Sequence, residues 1–105
     1  MKPSDAPRIE LFRTRGTAKF LLGQVWATPK ALALLRQHGM SATELLRRHE
    51  SGDWGEVPAG DARENDVAAR SQFRILSSYP IGRSRIWIVT EADRSATTLL
   101  LPDEY

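Results

Sequence analysis

Three apolar runs follow one another in the C-terminal third of the chain, Phe73 to Ile81, Arg85 to Glu91 and Ala96 to Leu101, parted only by Gly82-Arg83-Ser84 and Asp93-Arg94-Ser95. Their content of Ile, Val, Thr, Tyr, Trp and Phe suits a pleated surface. Connections this short join antiparallel neighbours, because a parallel crossover needs roughly a dozen residues or more. This stretch therefore predicts an antiparallel meander against which everything upstream has to pack.

Upstream the punctuation changes. Phe20 to Trp26 reads as a further strand, with Gly23 marking a bulge or a close approach, and Thr28-Pro29 ends it. Thr28 is a good N-cap and Pro29 suits the first helical position. Ala31, Leu32 and Leu35 supply a helical stripe that stops before Gly39. Ser41 and Glu44 have capping-box spacing, and Ala42, Leu45, Leu46 and His49 recur at helical intervals, which predicts a second helix ending at Ser51-Gly52-Asp53-Trp54-Gly55. Asp61 and Glu64 offer another capping pair for a third helix over Ala62 to Ser71, thin in apolar residues and hence superficial. The order of strand, three helices and three-strand meander predicts an α+β fold, an antiparallel sheet of about four strands with helices on one face. Residues 1–19, with Pro3, Pro7 and Gly16, read as a basic, partly ordered extension, and residues 20–105 as a single domain.

At 105 residues one core is the expectation, since surface-to-volume scaling does not let such a chain bury two. The absence of cysteine excludes disulfide frameworks, thiolate nucleophiles and cysteine-based metal sites, and fits a reducing compartment. Met1 to Thr17 lacks the apolar core of a secretory peptide and no run reaches membrane-spanning length, so a cytoplasmic location without membrane contact is expected. The net charge is only +2, but it is unevenly spread: Lys2, Arg8, Arg13, Arg15 and Lys19 crowd the start, whereas Glu50 to Asp66 carries six acids against Arg63.

Several clusters carry chemistry. The two central helices resemble a helix-turn-helix element with Gly39 at the turn, in which Thr43, Arg47 and Arg48 would face DNA and Arg13 and Arg15 of the arm would hold phosphates. The blander reading is a helical hairpin with solvated arginines and a solubilising tail. Trp54, set among Asp53, Gly55 and Glu56, is either an anchor for a partner's pocket or a plug in its own core. Glu91, Asp93 and Arg94 are raw material for acid-base or metal chemistry, yet the same residues are what a tight turn requires. Neither His38 nor His49 has metal-site spacing, and there is no phosphate-cradling glycine loop or nucleophile elbow. No catalytic residue, metal or cofactor is assigned.

Taken together, Leu22-Gly23-Gln24-Val25 with Ala27-Thr28-Pro29, Ser51-Gly52-Asp53-Trp54-Gly55, and Ile86 to Ser95 running on through Thr97-Thr98-Leu99-Leu100-Leu101-Pro102 resemble a family of small bacterial proteins from plasmids and integrative elements. The resemblance covers roughly residues 20 to 105. Such proteins often bear the label plasmid-related protein or type I restriction endonuclease subunit M. The second label fits poorly, because adenine methylation needs a cofactor-binding α/β domain and an Asn-Pro-Pro-Tyr-like motif that this chain lacks. What the resemblance implies is a mobile-element accessory protein without enzymatic activity, an anti-CRISPR or anti-restriction inhibitor that binds a host defence protein complex. Asp53, Trp54, Glu56, Glu91, Asp93 and Arg94 are its expected contact residues. DNA binding through the helix pair is the alternative, and a small metal-dependent nuclease or toxin the third. An exposed strand edge leaves both monomer and homodimer open.

Overall fold

A computed structural model describes residues 18–105 of the chain. Their elements run β1 (Gln24–Ala27), α1 (Pro29–Gln37), α2 (Ala42–Glu50), α3 (Ala59–Arg70), β2 (Ile75–Ile81), β3 (Ser84–Thr90), β4 (Ala96–Leu100) and a 3₁₀ turn at Pro102–Glu104. The fold is α+β, with one four-stranded sheet in the order β1-β4-β3-β2.

The meander forms as its short turns dictate: β2 pairs antiparallel with β3, and β3 with β4. β1 departs from the expectation of an all-antiparallel sheet, because it lies parallel to β4 with Gln24 opposite Ala96 and Ala27 opposite Leu99. The sheet is therefore mixed. The physical reason is the length of the connection: three helices separate β1 from the meander, and a linker that long can return the chain to either end of the sheet. β1 is also shorter at its start than the apolar run suggested. Gly23 adopts φ +68, and a Cβ there would collide with the Arg94 carbonyl, so the chain turns at Gly23 before entering the ladder.

The helices begin largely where their caps place them. Thr28 Oγ1 accepts the Ala31 N–H at 3.1 Å, and Ser41 Oγ accepts the Thr43 N–H at 3.1 Å. α3 starts three residues earlier than the Asp61/Glu64 pair predicted, because Pro58 stands at its N-cap without any side-chain cap bond. Strand residues of one parity, Ile75, Tyr79, Ile81, Ile86, Ile88 and Leu99, form the hydrophobic core with Ala31, Leu34 and Leu35 of α1, Leu45 and Leu46 of α2, and Ala68 of α3.

Buried in that core is a polar chain. His49 Nδ1 lies 2.6 Å from Ser77 Oγ and Nε2 lies 2.8 Å from Thr90 Oγ1. Thr90 Oγ1 is 2.7 Å from Thr97 Oγ1, and Thr97 donates to the Leu22 carbonyl at 2.7 Å. The last bond fixes all the others. Thr97 spends its one proton on Leu22, so Thr90 donates to Thr97, His49 Nε2–H donates to Thr90, and Ser77 donates to a bare Nδ1. His49 is thus a neutral imidazole with its proton on Nε2, and burial pushes it down to about 3, with the Arg94 charge adding to the effect.

Candidate protein-binding face

The β3 sequence Arg85-Ile86-Trp87-Ile88-Val89 alternates two kinds of residue on the two faces of a strand. Ile86 and Ile88 go to the core. Arg85, Trp87 and Val89 go to the other face. The register brings Trp26 to that same face, since Trp26 and Val89 both pair with Thr98 while Trp87 pairs with Leu100, two residues further along β4. The 3₁₀ turn then folds Tyr105 onto it: the Trp87 and Tyr105 rings meet edge to face with centroids 5.6 Å apart. Trp26 is 55% exposed and Tyr105 59% exposed.

A charged rim surrounds these rings. Arg74 donates to Tyr105 Oη at 2.6 Å and pairs with Glu91 at 3.3 Å, and its guanidinium lies 5.9 Å from the Tyr105 ring centre. The adjacent Tyr105 and Glu91 hold Arg74 more firmly protonated than usual. Arg85 donates to Ser78 Oγ at 3.0 Å and pairs with Glu56 at 3.3 Å. Beside Trp87 runs an open groove of ≈ 610 Å³, lined by Arg83, Arg85, Leu101 and Pro102 among others. Glu104 holds the C-terminal turn in place by accepting from the Leu101 N–H at 2.9 Å and from Thr28 Oγ1 at 2.7 Å, and these bonds keep its carboxyl below the usual range.

Of the residues singled out from the sequence, Glu91 and Glu56 belong to this rim. Trp54 does not. It is 5% exposed, stacked on Phe20 at 6.1 Å, edge-on to His49 at 6.0 Å, and its Nε1 donates to Asp66 at 3.0 Å. The expected anchor is therefore a core plug, because a ring with both faces covered offers nothing to a partner.

Arg94 is likewise turned inward. It sits at φ +61 and its guanidinium donates to the carbonyls of Phe73, Glu91, Ala92, Ala68 and Ser71 at 2.6 to 3.3 Å, with Phe20 beneath it at 5.5 Å. It ties the end of α3 to the β3–β4 turn and is spent as a contact residue. Asp93 closes that turn by accepting the Ser95 N–H at 3.0 Å, and hydrogen bonds from the Ser95 side chain and backbone hold its carboxyl low. Asp53 accepts from Arg48 at 2.7 Å and from the Gly55 N–H at 3.2 Å, and the Arg48 bond holds its carboxyl low.

For the DNA reading, Arg48 is committed to Asp53 and lies 4.6 Å over the Tyr79 ring. Thr43 stands in the first turn of α2, half-buried, and Arg47 on its exposed side. Arg13 and Arg15 lie outside the described residues. The Ser77–His49 pair has the chemistry of a nucleophile and base, but every member of that chain is buried, and none lines the main grooves formed by the described residues. Among the described residues no three His, Asp or Glu side chains converge as a metal site, and no helix is long and apolar enough to cross a membrane.

Trp26, Trp87, Tyr105, Arg74 and Arg85 were missed in the sequence. Period-two alternation in β3 was the signal for Trp87 and Arg85, whereas Trp26 needed the parallel register and Tyr105 the C-terminal turn. No family model, curated protein or solved structure shows significant similarity to the chain.

Proposed function

We propose that this protein works by binding a protein partner through the aromatic face of its sheet, as a mobile-element accessory that inhibits a host defence complex of the anti-restriction or anti-CRISPR kind. The observation that carries the binding reading is the pair of tryptophans and the C-terminal tyrosine gathered on the sheet face opposite the core, with arginine–glutamate pairs around them. Interfaces draw their energy from such aromatic and arginine anchors inside a polar rim. The defence-inhibitor assignment rests on the sequence resemblance described above.

The test is protection in vivo. Cells carrying one defined restriction or CRISPR system are transformed with a targeted plasmid, with and without this protein. The expected result is a rise in transformants of at least ten-fold, lost in Trp87→Ser whose folding is verified by its melting curve. No rise across a panel of such systems overturns the inhibitor reading. Duplex binding that weakens steeply with salt and survives Trp87→Ser moves the function to the helix pair and arm.

A further inference from the structure

The two edges of the sheet are built differently. On β2 the outward backbone groups are already occupied: Asn65 accepts the Leu76 N–H at 3.3 Å and donates to the Leu76 carbonyl at 2.8 Å, while Ser78 bonds Trp54 O at 3.0 Å and Glu56 N at 2.7 Å. Pro80, next in the same outward series, has no N–H to offer. That edge is closed against further strands.

Among the described residues β1 has no such cover. Gln24 N–H donates to Ser95 O and Thr28 N–H to Leu99 O, both at 3.0 Å, so Gln24, Trp26 and Thr28 direct their backbone groups to β4. In a parallel ladder the intervening residues point the other way. The N–H and C=O of Val25 and Ala27 therefore face outward, and no described residue bonds them.

These four groups are self-complementary about one point. Lay a second β1 antiparallel beside the first with Trp26 opposite Trp26, and Val25 faces Ala27 on each side. Both such pairs are then of the hydrogen-bonded kind and Trp26 is the non-hydrogen-bonded pair at the two-fold axis. All four outward groups on each copy find partners, and the two half-exposed indoles meet across the axis on the open face. Shifting the register by two residues in one direction brings Pro29 opposite Val25, where an N–H is missing. In the other direction it brings Gly23, bent out of the ladder at φ +68, opposite Ala27.

We propose that the chain forms a two-fold dimer through antiparallel pairing of its β1 edges, joining two sheets into one of eight strands with Trp26 at the axis. The edge is short, so association in the range of roughly 10 to 100 µM is expected. The dimer does not depend on the inhibitor reading, because its test uses the full chain alone and no host system.

Because the chain contains no cysteine, a single introduced thiol reports one position. Trp26→Cys places two sulfurs on a cross-strand pair with Cα atoms roughly 4.5 Å apart, within disulfide reach. Gln24→Cys leaves its two sulfurs separated by about four residues of strand, roughly 13 Å, beyond reach. Mild oxidation at about 100 µM is expected to cross-link Trp26→Cys at least ten-fold more than Gln24→Cys. Sedimentation of the unmodified chain should move from 11.8 kDa toward twice that mass with rising concentration, and Ala27→Pro, which deletes one outward N–H, should abolish the shift while keeping the melting curve. A wild-type mass fixed at 11.8 kDa up to about 1 mM, or equal cross-linking of the two cysteine variants, overturns the proposal.

Discussion

Acidification should destabilise this domain through His49. In the unfolded chain its imidazole titrates near its ordinary value of about 6.5, whereas in the fold burial holds it at about 3. Between those two values only the unfolded chain takes up the proton, so stability falls as pH drops, by about 1.4 kcal/mol per unit once below about 6.5. From pH 7.5 to 5.0 the loss comes to about 2 kcal/mol, and it saturates near 5 kcal/mol below about pH 3. A domain of this size has roughly 5 to 15 kcal/mol in all, so the effect is easily measured. Three carboxylates lie outside this window. Asp53, Asp93 and Glu104 are held low in the fold, so their contribution is complete above the usual carboxylate range and lost only as pH falls through and below it, under about 4. Urea unfolding followed by tryptophan fluorescence at pH 7.5 and 5.0 makes the comparison. His49→Gln should start less stable, since it disturbs the Ser77–Thr90 bridge, but should change by less than about 0.5 kcal/mol between the two pH values. A wild-type chain no more pH-sensitive than His49→Gln would refute the buried, neutral imidazole.

Arg94→Met should cost about 3 kcal/mol, because five backbone carbonyls lose a charged donor at once, and Arg94→Lys should recover less than half of it since an ammonium cannot reproduce the planar fork; chemical denaturation measures both. Trp54→Ala should lose about 3 to 5 kcal/mol from the cavity left beside Phe20 and His49, so any loss of activity in that variant should track its unfolding curve and be restored at lower temperature. Gly55→Ala should cost more than about 2 kcal/mol, because φ is +74 and a Cβ would meet the Ser78 carbonyl across the loop-to-β2 bridge; its melting temperature should fall accordingly.

The elements were legible where local chemistry decides them. Thr28-Pro29 and Ser41 fixed two helix starts, and the turns at Gly82 and Asp93 fixed the meander. What stayed hidden depends on contacts between distant residues. Nothing near Gln24 says that its neighbour will be Ala96 in a parallel sense, and the side on which Trp26 emerges follows from that pairing alone. For the site, Trp54 illustrates the limit. An aromatic flanked by turn residues has the same local pattern whether it is a plug or an anchor, and only Phe20, His49 and Asp66 decide between them. Arg94 misled for a related reason: a residue in a polar turn looks solvated until its five carbonyl acceptors, from two segments of chain, are seen together.

The parallel seat of β1 against β4 has a consequence during synthesis. Of the described strands, the first to emerge takes its place beside the last, and β4 lies between β1 and β3 in the sheet. While the ribosome still holds β4, the helices and the β2–β3 hairpin can assemble, but β1 lacks its neighbour in the sheet and the apolar residues around it stay open to chaperones and proteases. Completion of this sheet is therefore tied to the emergence of β4, and a transcript cut short after Thr90 would yield a product without the strand that joins β1 to β3.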